Sequence, residues 1–303
     1  MDAPTIDDRG PGMTLKGKCA IITGASAGIG AALARRLARE EMRLVLAARR
    51  IERLEELARD LESGFACRVL PVRCDVSRSD EGEALIRQAV EWSGQIDVLI
   101  NNAGRGHFAP LEETTDEIIQ SMFAVNVFSL WHTTRPALRQ MKARGSGHII
   151  NIASIAGKIG LPYNSAYVAA KHAVVGFTHA LRTELLETGI HATVVCPGGV
   201  LTDWAETTEG GPILELFSRS GPAIKAIARE RNLPLPPMQG VMSADAVAEK
   251  IVDCLHHPSA EIFTHDGSRE FAALAAQNRE EAERYQLAVA LGERKAFEQL
   301  RRD

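Results

Sequence analysis

Short apolar runs alternate with segments of helical periodicity from residue 18 to residue 196. The apolar runs cover residues 20–23, 43–47, 67–72, 97–100, 148–153 and 191–196. The segments with helical spacing cover residues 31–40, 51–61, 81–92, 116–126, 130–144 and 164–187. This alternation predicts parallel strands joined by crossover helices, and strands that are nearly all apolar predict helices on both faces of the sheet. The predicted fold is therefore a doubly wound, Rossmann-like α/β sheet.

The chain departs from this alternation after residue 200. Residues 201–240 contain clustered glycines and prolines, which predict a lid or binding loop. A helix over residues 245–255 and a last strand over residues 261–264 follow. Residues 266–303 are highly charged and predict a helical C-terminal extension.

The N-terminal residues 1–12 are acidic and rich in proline and glycine. They predict a disordered leader, because they lack the basic and apolar parts of a signal peptide. The rest, residues 13–265, predicts a single α/β domain, and either Met1 or Met13 could be the true start.

Composition excludes several classes of function. The 303 residues carry a formal net charge of -4 with mixed signs, so nucleic acid is not an expected partner. The apolar segments are too short or too interrupted to span a membrane. The cysteines form no C-x-x-C pair and predict reduced thiols in the cytoplasm: Cys19, Cys67, Cys74, Cys196 and Cys254.

A glycine-rich turn joins the first predicted strand to the first helix. Its sequence is Thr23-Gly24-Ala25-Ser26-Ala27-Gly28-Ile29-Gly30, with the spacing G-x-x-x-G-x-G. Glycine permits positive φ angles and lets the backbone approach a ligand. The helix that begins here offers unpaired N–H groups and a positive dipole end. This strand–turn–helix setting predicts a site for the pyrophosphate of a dinucleotide.

A tyrosine and a lysine lie four positions apart on the predicted helix 164–187. Tyr167 and Lys171 therefore share one helix face. A tyrosine of ordinary pKa, about 10, is a poor base at neutral pH, but a nearby ammonium favours the phenolate and lowers that pKa. Tyr167 could then donate a proton to a carbonyl or remove one from an alcohol. Ser154 follows a strand at the sheet edge where such folds bind ligands, and its hydroxyl could hold the substrate oxygen.

Together these motifs resemble the short-chain dehydrogenase/reductase family, in its shorter single-domain branch. The further matches follow the family's order up to residue 202: Asn101-Asn102-Ala103-Gly104, Ser154, Tyr167-Val168-Ala169-Ala170-Lys171 and Pro197-Gly198-Gly199-Val200-Leu201-Thr202. The resemblance implies that Ser154, Tyr167 and Lys171 are catalytic and that Lys171 also bonds the nicotinamide ribose. It assigns Asn126 to a water-mediated proton relay behind the lysine. No metal is expected, because the cofactor carries the hydride.

The end of the second predicted strand bears on the choice of cofactor. NAD-dependent enzymes usually place an acid here for the ribose 2′-hydroxyl, whereas this chain has Ala48 followed by Arg49 and Arg50. Guanidinium groups suit a phosphate, so Arg49 is the predicted ligand of the adenosine 2′-phosphate and NADP(H) the preferred cofactor. NAD(H) stays possible, because Ala27 adds no second positive charge to the glycine turn. The resemblance places Asp75 and Val76 at the adenine. The predicted cofactor-binding residues are therefore Gly24, Ser26, Gly28, Ile29, Gly30, Arg49, Asp75, Val76, Asn102, Ala103, Gly104, Tyr167, Lys171, Pro197, Gly198, Val200 and Thr202.

The substrate side of the site is less specific. Residues 104–108, 155–161 and 197–204, together with the lid, predict an apolar pocket that includes Phe108, Ile159, Leu161, Trp204, Ile213, Leu214 and Phe217. Such a pocket suits a small-molecule ketone or aldehyde, or its alcohol. Steroid, acyl-thioester and sugar substrates stay open.

The C-terminal extension has apolar residues at near-helical spacing: Phe271, Leu274, Tyr285, Val289, Phe297 and Leu300. They predict packing on the same domain or on a partner subunit, and we expect a homo-oligomer, either a dimer or a tetramer. The predicted function is an NADP(H)-dependent oxidoreductase. The alternative is a non-catalytic NAD(P)-sensing or scaffold protein of the same fold, which would not need Ser154, Tyr167 and Lys171.

Overall fold

The structure is a computed structural model that describes residues 14–202, 208–209, 213–238 and 240–302. The predicted leader, residues 1–12, lies outside the described residues, as does Trp204 of the predicted pocket.

Seven parallel strands form the central sheet and confirm the predicted fold class. They are β1 (Cys19–Thr23), β2 (Arg43–Ala48), β3 (Val69–Arg73), β4 (Val98–Asn101), β5 (Gly147–Ile152), β6 (Ile190–Cys196) and β9 (Glu261–Phe263). Their order across the sheet is β3-β2-β1-β4-β5-β6-β9. Two short strands, β7 (Val200–Leu201) and β8 (Met242–Ser243), pair separately. The strand order reverses between β1 and β4, and the carboxyl ends of such strands form the ligand-binding crevice of open α/β sheets.

Helices cover both faces of the sheet. They are α1 (Gly28–Arg39), α2 (Ile51–Gly64), α3 (Ser79–Ser93), α4 (Asp116–Phe123), α5 (Ser129–Arg144), α6 (Ser165–Glu184), α7 (Ile213–Glu230), α8 (Ala244–His256), α9 (Ser268–Gln277) and α10 (Arg279–Leu300).

The strand β1 shows why the sheet is buried on both sides. All five of its residues are buried, and alternate side chains point to opposite faces. Ala20 and Ile22 pack in the core that includes residues of α1 and α8. Cys19 and Ile21 pack in the core that includes residues of α3 and α5.

The two helices predicted over residues 116–126 and 130–144 are continuous in the structure. A π-helical turn, Ala124–Phe128, joins α4 to α5. Asn126 therefore lies within a helix rather than at its end. Single π-helical turns inside α-helices frequently occur at functional sites, because they redirect a side chain without ending the helix.

The segment 201–240, predicted as a lid or loop, contains the helix α7. This helix includes Gly221 and Pro222, which local propensity disfavours. It packs along α10 of the C-terminal extension, and burial of its apolar side offsets the cost of these residues. Leu214 and Phe217 of the predicted pocket are 65% and 48% exposed, so they do not form a closed wall.

The C-terminal extension packs on its own chain. Phe271 of α9 is buried against Ile155 and Ile159, and Phe297 of α10 packs against Phe108. The homo-oligomer stays a prediction, although Phe128 and Trp131 leave apolar surface exposed near the start of α5.

Candidate active site

The glycine-rich turn lies between β1 and α1 at the carboxyl edge of the sheet. Gly24 (φ +65°) and Gly28 (φ +55°) have left-handed backbone conformations, which favour glycine. A Cβ atom on Gly24 would lie 2.8 Å from Ala103 Cα, and one on Gly28 would lie 3.1 Å from Thr202 Cγ2. A Cβ atom on Gly30 would lie 2.9 Å from Ala25 Cα. The turn is therefore in close contact with the backbone at Ala103 and with the side chain of Thr202.

The first turn of α1 faces this crevice with unpaired backbone donors. The helix begins at Gly28, and its N-cap residue, Ala27, provides no side-chain hydrogen bond. The first N–H groups of a helix, here including that of Ile29, have no partner within the helix. With no acidic residue in the first turn, this end of α1 presents positive potential to an anion.

The loop after β4 braces the glycine turn. Asn102 Nδ2 donates to the carbonyl oxygens of Thr23 (2.9 Å) and Gly24 (3.2 Å). The backbone N–H groups of Asn102 and Ala103 both donate to Thr23 Oγ1, at 3.0 Å each. Asn102 is therefore placed to fix the turn as well as to contact a ligand.

The arginines that follow β2 lie beside the same turn. Arg50 Nη2 donates to Ser26 Oγ at 3.1 Å. Arg49 is exposed, and no hydrogen bond or ion pair joins it to another residue in the part of the chain that the structure describes. Burial and the charge of Arg49 hold the pKa of Arg105 below its ordinary value. Arg105 is itself paired with Glu209, whereas Arg49 and Arg50 have no carboxylate partner among the described residues.

Asp75 and Val76 follow β3 at the same edge of the sheet. The Asp75 carboxylate accepts hydrogen bonds from Ser77 N (3.0 Å) and Ser77 Oγ (2.7 Å). Val76 is buried, and its carbonyl oxygen lies 2.9 Å from His132 Nδ1. Both residues are held in place at the end of β3, as their predicted contact with an adenine requires.

Ser154 and Tyr167 converge where β5 ends and α6 begins. Ser154 Oγ accepts from Ala156 N at 3.1 Å and donates to the Pro197 carbonyl oxygen at 3.4 Å. A hydrogen bond between Ser154 and Tyr167 acts to lower the tyrosine pKa. The two hydroxyl groups are therefore close enough to hold one substrate oxygen between them.

Lys171 and Asn126 lie close together beside Gly104. Lys171 is buried, and its Nζ donates to the Ile152 carbonyl oxygen at 2.9 Å. A Cβ atom on Gly104 would lie 2.8 Å from Asn126 Oδ1 and 3.5 Å from Lys171 Nζ. Asn126 also exchanges hydrogen bonds with the backbone of Arg105, which holds the amide in one orientation. All four predicted catalytic residues thus meet at one edge of the sheet.

The pKa of Tyr167 departs from the expectation that Lys171 lowers it. Burial raises the pKa of Tyr167 to about 12, and this effect exceeds that of the Ser154 hydrogen bond. Lys171 Nζ lies 5.7 Å from the centroid of the tyrosine ring. Burial also lowers the pKa of Lys171 to about 8, because the buried ammonium has lost water. Loss of solvation is the largest effect on the pKa of both groups, and the helical spacing does not reveal it.

The segment from Pro197 to Thr202 crosses the mouth of this site. The Pro197 carbonyl oxygen accepts from Ile155 N at 2.8 Å, close to Ser154. Val200 belongs to β7, and Thr202 lies against Gly28 of the glycine turn. The segment therefore spans the distance between Ser154 and the predicted pyrophosphate site.

An aromatic cluster lies beside the start of α6. The ring of Tyr163 lies 5.4 Å from that of Phe297 and 5.6 Å from that of Phe108, measured between centroids. Tyr163 has a positive φ of 58°, a strained conformation for a residue with a side chain. The cluster joins α10 to the loops on both sides of the catalytic residues.

Sequence reasoning missed some residues that shape this site. Tyr163 and His265 belong to none of the motifs, Thr23 opens the glycine-turn motif without being predicted as a site residue, and Phe297 is predicted only to pack. The apolar spacing of the extension and the position of His265 directly after a strand were the available signals. Neither signal reveals which loop the side chain contacts.

Comparisons with known proteins identify the family. The family model described as short chain dehydrogenase matches residues 18–211. The chain belongs to this family, and it is an NAD(P)-dependent oxidoreductase that acts on CH–OH or C=O groups.

Three similar proteins illustrate the family. The ketoacyl reductase HetN of Nostoc sp. is 33% identical over 255 residues, which are 83% of this chain and 80% of that protein. A short chain dehydrogenase/reductase of Burkholderia phymatum, solved in complex with NAD, has a TM-score of 0.74 at 30% identity, over 88% of this chain and 96% of that chain. The L-sorbose reductase of Gluconobacter frateurii, solved with NADPH and L-sorbose, has a TM-score of 0.70 at 31% identity, over 83% and 97%.

Among the described residues, no helix is both long enough and apolar enough to cross a membrane.

Proposed function

We propose that this protein uses NADP(H) to interconvert an apolar ketone or aldehyde and its alcohol, with Tyr167 as the acid and base. The observation that carries the proposal is the convergence of Ser154, Tyr167 and Lys171 at the sheet edge, beside a glycine turn flanked by Arg49. The relatives bear different cofactors, since one was solved with NAD and another with NADPH. The preference must therefore rest on this chain's own residues.

The residues at the glycine turn fit a dinucleotide. Side chains at Gly24 and Gly30 would collide with neighbouring backbone, so the turn keeps its peptide groups accessible. The unpaired N–H groups of α1 suit a pyrophosphate. Arg49 suits the additional phosphate of NADP(H), because its guanidinium has no partner among the described residues and repels the nearby Arg105.

In the proposed mechanism, Tyr167 moves the proton. When bound, the nicotinamide supplies a hydride to the carbonyl carbon or accepts one from the alcohol. During reduction, Ser154 and Tyr167 hold the carbonyl oxygen, and Tyr167 gives it the phenolic proton as the oxygen becomes an alkoxide. During oxidation, the Tyr167 phenolate removes the hydroxyl proton.

Lys171 and Asn126 restore the proton of Tyr167. A charged Lys171 stabilises the phenolate that remains after proton donation. Asn126, fixed by its bonds to the Arg105 backbone, lies beside Gly104 near Lys171 and suits a water-mediated relay to that lysine. In this proposal Tyr167 donates the proton, and Lys171 and Asn126 restore it.

We expect the rate of reduction to fall as the pH rises through about 8. The pKa of Lys171 is lowered to about 8 by burial, so its ammonium is lost above that pH. Tyr167 keeps its proton over this range, because burial raises its pKa to about 12. The measurement is kcat/KM for reduction across neutral and alkaline pH. A falling limb only near about 10.4, the ordinary pKa of an exposed lysine, would contradict this assignment.

The aromatic cluster supports an apolar substrate. Phe108, Tyr163 and Phe297 pack together with Leu216 beside the start of α6, the helix that carries Tyr167 and Lys171. The similar ketoacyl reductase and sorbose reductase differ in the substrates that their names imply, so the relatives do not decide the class. The cluster favours a medium-chain or cyclic carbonyl compound over a sugar.

We expect Phe297→Ala to raise KM by up to about tenfold for bulky apolar carbonyl substrates, because an aromatic contact with the substrate is worth about 0.5–1.5 kcal/mol. The KM for a small substrate such as a short aldehyde should change little. Steady-state kinetics on both substrates checks this. Leu287→Ala, on the exposed side of the same helix, is the matched control. Equal effects on both substrates would instead assign Phe297 to folding alone.

The first test of the function is loss of NADPH and NADH absorbance with a panel of aldehydes and ketones. Turnover that favours NADPH supports the proposal. Tight cofactor binding without turnover on any substrate would favour the sensing or scaffold alternative. Binding of neither cofactor would refute both.

A further inference from the structure

His265 lies directly after β9, the strand that pairs with β6 at the edge of the sheet. Because parallel strands end at the same edge, His265 reaches the turn that follows β6, Pro197–Gly198–Gly199. The histidine is buried, with 5% of its surface exposed. No sequence motif marks this residue, and the mechanism above does not use it.

Both nitrogens of the His265 ring bind the backbone of this turn. Nδ1 lies 3.1 Å from Gly198 N, and Nε2 lies 2.9 Å from the Gly199 carbonyl oxygen. A backbone N–H can only donate, so Nδ1 is the acceptor and the ring proton is on Nε2, which donates to Gly199. The neutral ring therefore accepts a hydrogen bond from Gly198 and donates one to the next residue, Gly199.

The turn is built around this ring. A Cβ atom on Gly198 would lie 2.9 Å from His265 Nδ1 and 3.0 Å from Met238 Sδ, so only glycine fits against the histidine. Thr264 Oγ1 lies 2.8 Å from the same ring nitrogen, and Ser268 N donates to the His265 carbonyl oxygen at 3.2 Å. The position of the ring is thus fixed by Thr264 and by the hydrogen bond to the His265 backbone, as well as by the turn.

The same turn connects to the catalytic serine. The Pro197 carbonyl oxygen, one residue before the first His265 contact, accepts from Ser154 Oγ at 3.4 Å and from Ile155 N at 2.8 Å. A shift of Gly198 would therefore move Pro197, and with it the hydrogen bond of Ser154.

We infer that His265 is a positioning residue, which fixes the Pro197–Gly199 turn through both ring nitrogens so that the turn can hold the nicotinamide half of the cofactor beside Ser154. This inference rests on the proposed function, together with the prediction from the sequence that Pro197 and Gly198 bind the cofactor. It adds that the C-terminal part of the fold, through β9, sets the geometry of the nicotinamide site.

Three substitutions separate the two hydrogen bonds from the shape of the ring. His265→Asn keeps an acceptor near the position of Nδ1, and His265→Gln keeps a donor near that of Nε2. His265→Phe keeps a ring and loses both bonds. His148→Asn is the control, because His148 is also buried but bonds Thr193 near the amino end of β5, away from the turn.

The experiment measures the Kd of NADPH by calorimetric titration, kcat/KM for reduction, and the thermal midpoint of each full-length variant. We expect His265→Phe to weaken NADPH binding about tenfold, roughly the effect of losing one net hydrogen bond of ordinary strength. His265→Asn should recover most of this loss, since it restores the bond to Gly198 N. His148→Asn should lower the thermal midpoint and leave the Kd unchanged.

Two results would overturn the inference while leaving the proposed function intact. One is a Kd for NADPH in the His265→Phe variant that equals the Kd of the wild-type protein. The other is a Kd that follows the thermal midpoint in all four variants, which would make His265 a packing residue only. Failure of the wild-type protein to bind either nicotinamide cofactor would instead refute the proposed function.

Discussion

Tyr167→Phe should lower kcat for carbonyl reduction about 1,000-fold, within the range of about 10²–10⁴ that a positioned acid contributes. The substitution removes one oxygen atom and keeps the ring that packs beside Lys171. The pKa of Tyr167 is raised to about 12, so the wild-type residue carries its proton at neutral pH and is ready to act as the acid. Cofactor binding should be almost unchanged. NADPH consumption and NADPH titration measure the two quantities separately.

Tyr163→Phe is the matched control for this prediction. Tyr163 lies four residues earlier, and its ring contacts Phe108 and Phe297, which the substitution preserves. Its turnover should stay within about twofold of the wild type, the change expected when only a weakly bonded hydroxyl is lost. If Tyr167→Phe kept wild-type turnover, another group would have to supply the proton.

Arg49→Glu should raise the KM for NADPH about 100-fold, because it replaces a charge-assisted contact of about 1.5–3 kcal/mol with repulsion of the 2′-phosphate. The KM for NADH should change little or improve, since a carboxylate at the end of β2 can accept from the ribose 2′-hydroxyl. The ratio of kcat/KM for the two cofactors gives the result directly. Of the two predictions, this one tests the cofactor preference without touching the proton chemistry.

Arg59→Glu controls for the change in net charge. Arg59 is exposed on α2, the helix that follows Arg49, and has no role in the proposed site. Equal losses in the two variants would show that only the overall charge matters. If Arg49→Glu left the preference for NADPH over NADH unchanged, another cation would have to bind the 2′-phosphate, with Arg50 the nearest candidate.

Local pattern predicted the strands and most helices because their apolar spacing follows directly from the fold. The first four residues of β1 are apolar, since both of its faces are covered, and this alone predicts a central parallel strand. The helix α7 was missed for the opposite reason. Its glycine and proline signal a break locally, whereas its stability depends on α10, which lies far along the sequence.

The chemical motifs were also local, and the structure brings them together. Tyr167 and Lys171 share a helix face, so their proximity follows from their spacing. Their pKa values do not, because burial depends on every element that excludes water from them. The expectation of a lowered tyrosine pKa was wrong for this reason.

The sequence by itself determined the family, the sheet and the residues that carry the proposed chemistry, because each depends on spacing within one strand, turn or helix. Tertiary structure alone decided which distant segments support that chemistry. It placed His265 against the turn after β6, and Phe297 against the loops beside α6. Such contacts join residues far apart in the chain, and they form only because the parallel strands end at one edge and the C-terminal helices return to it.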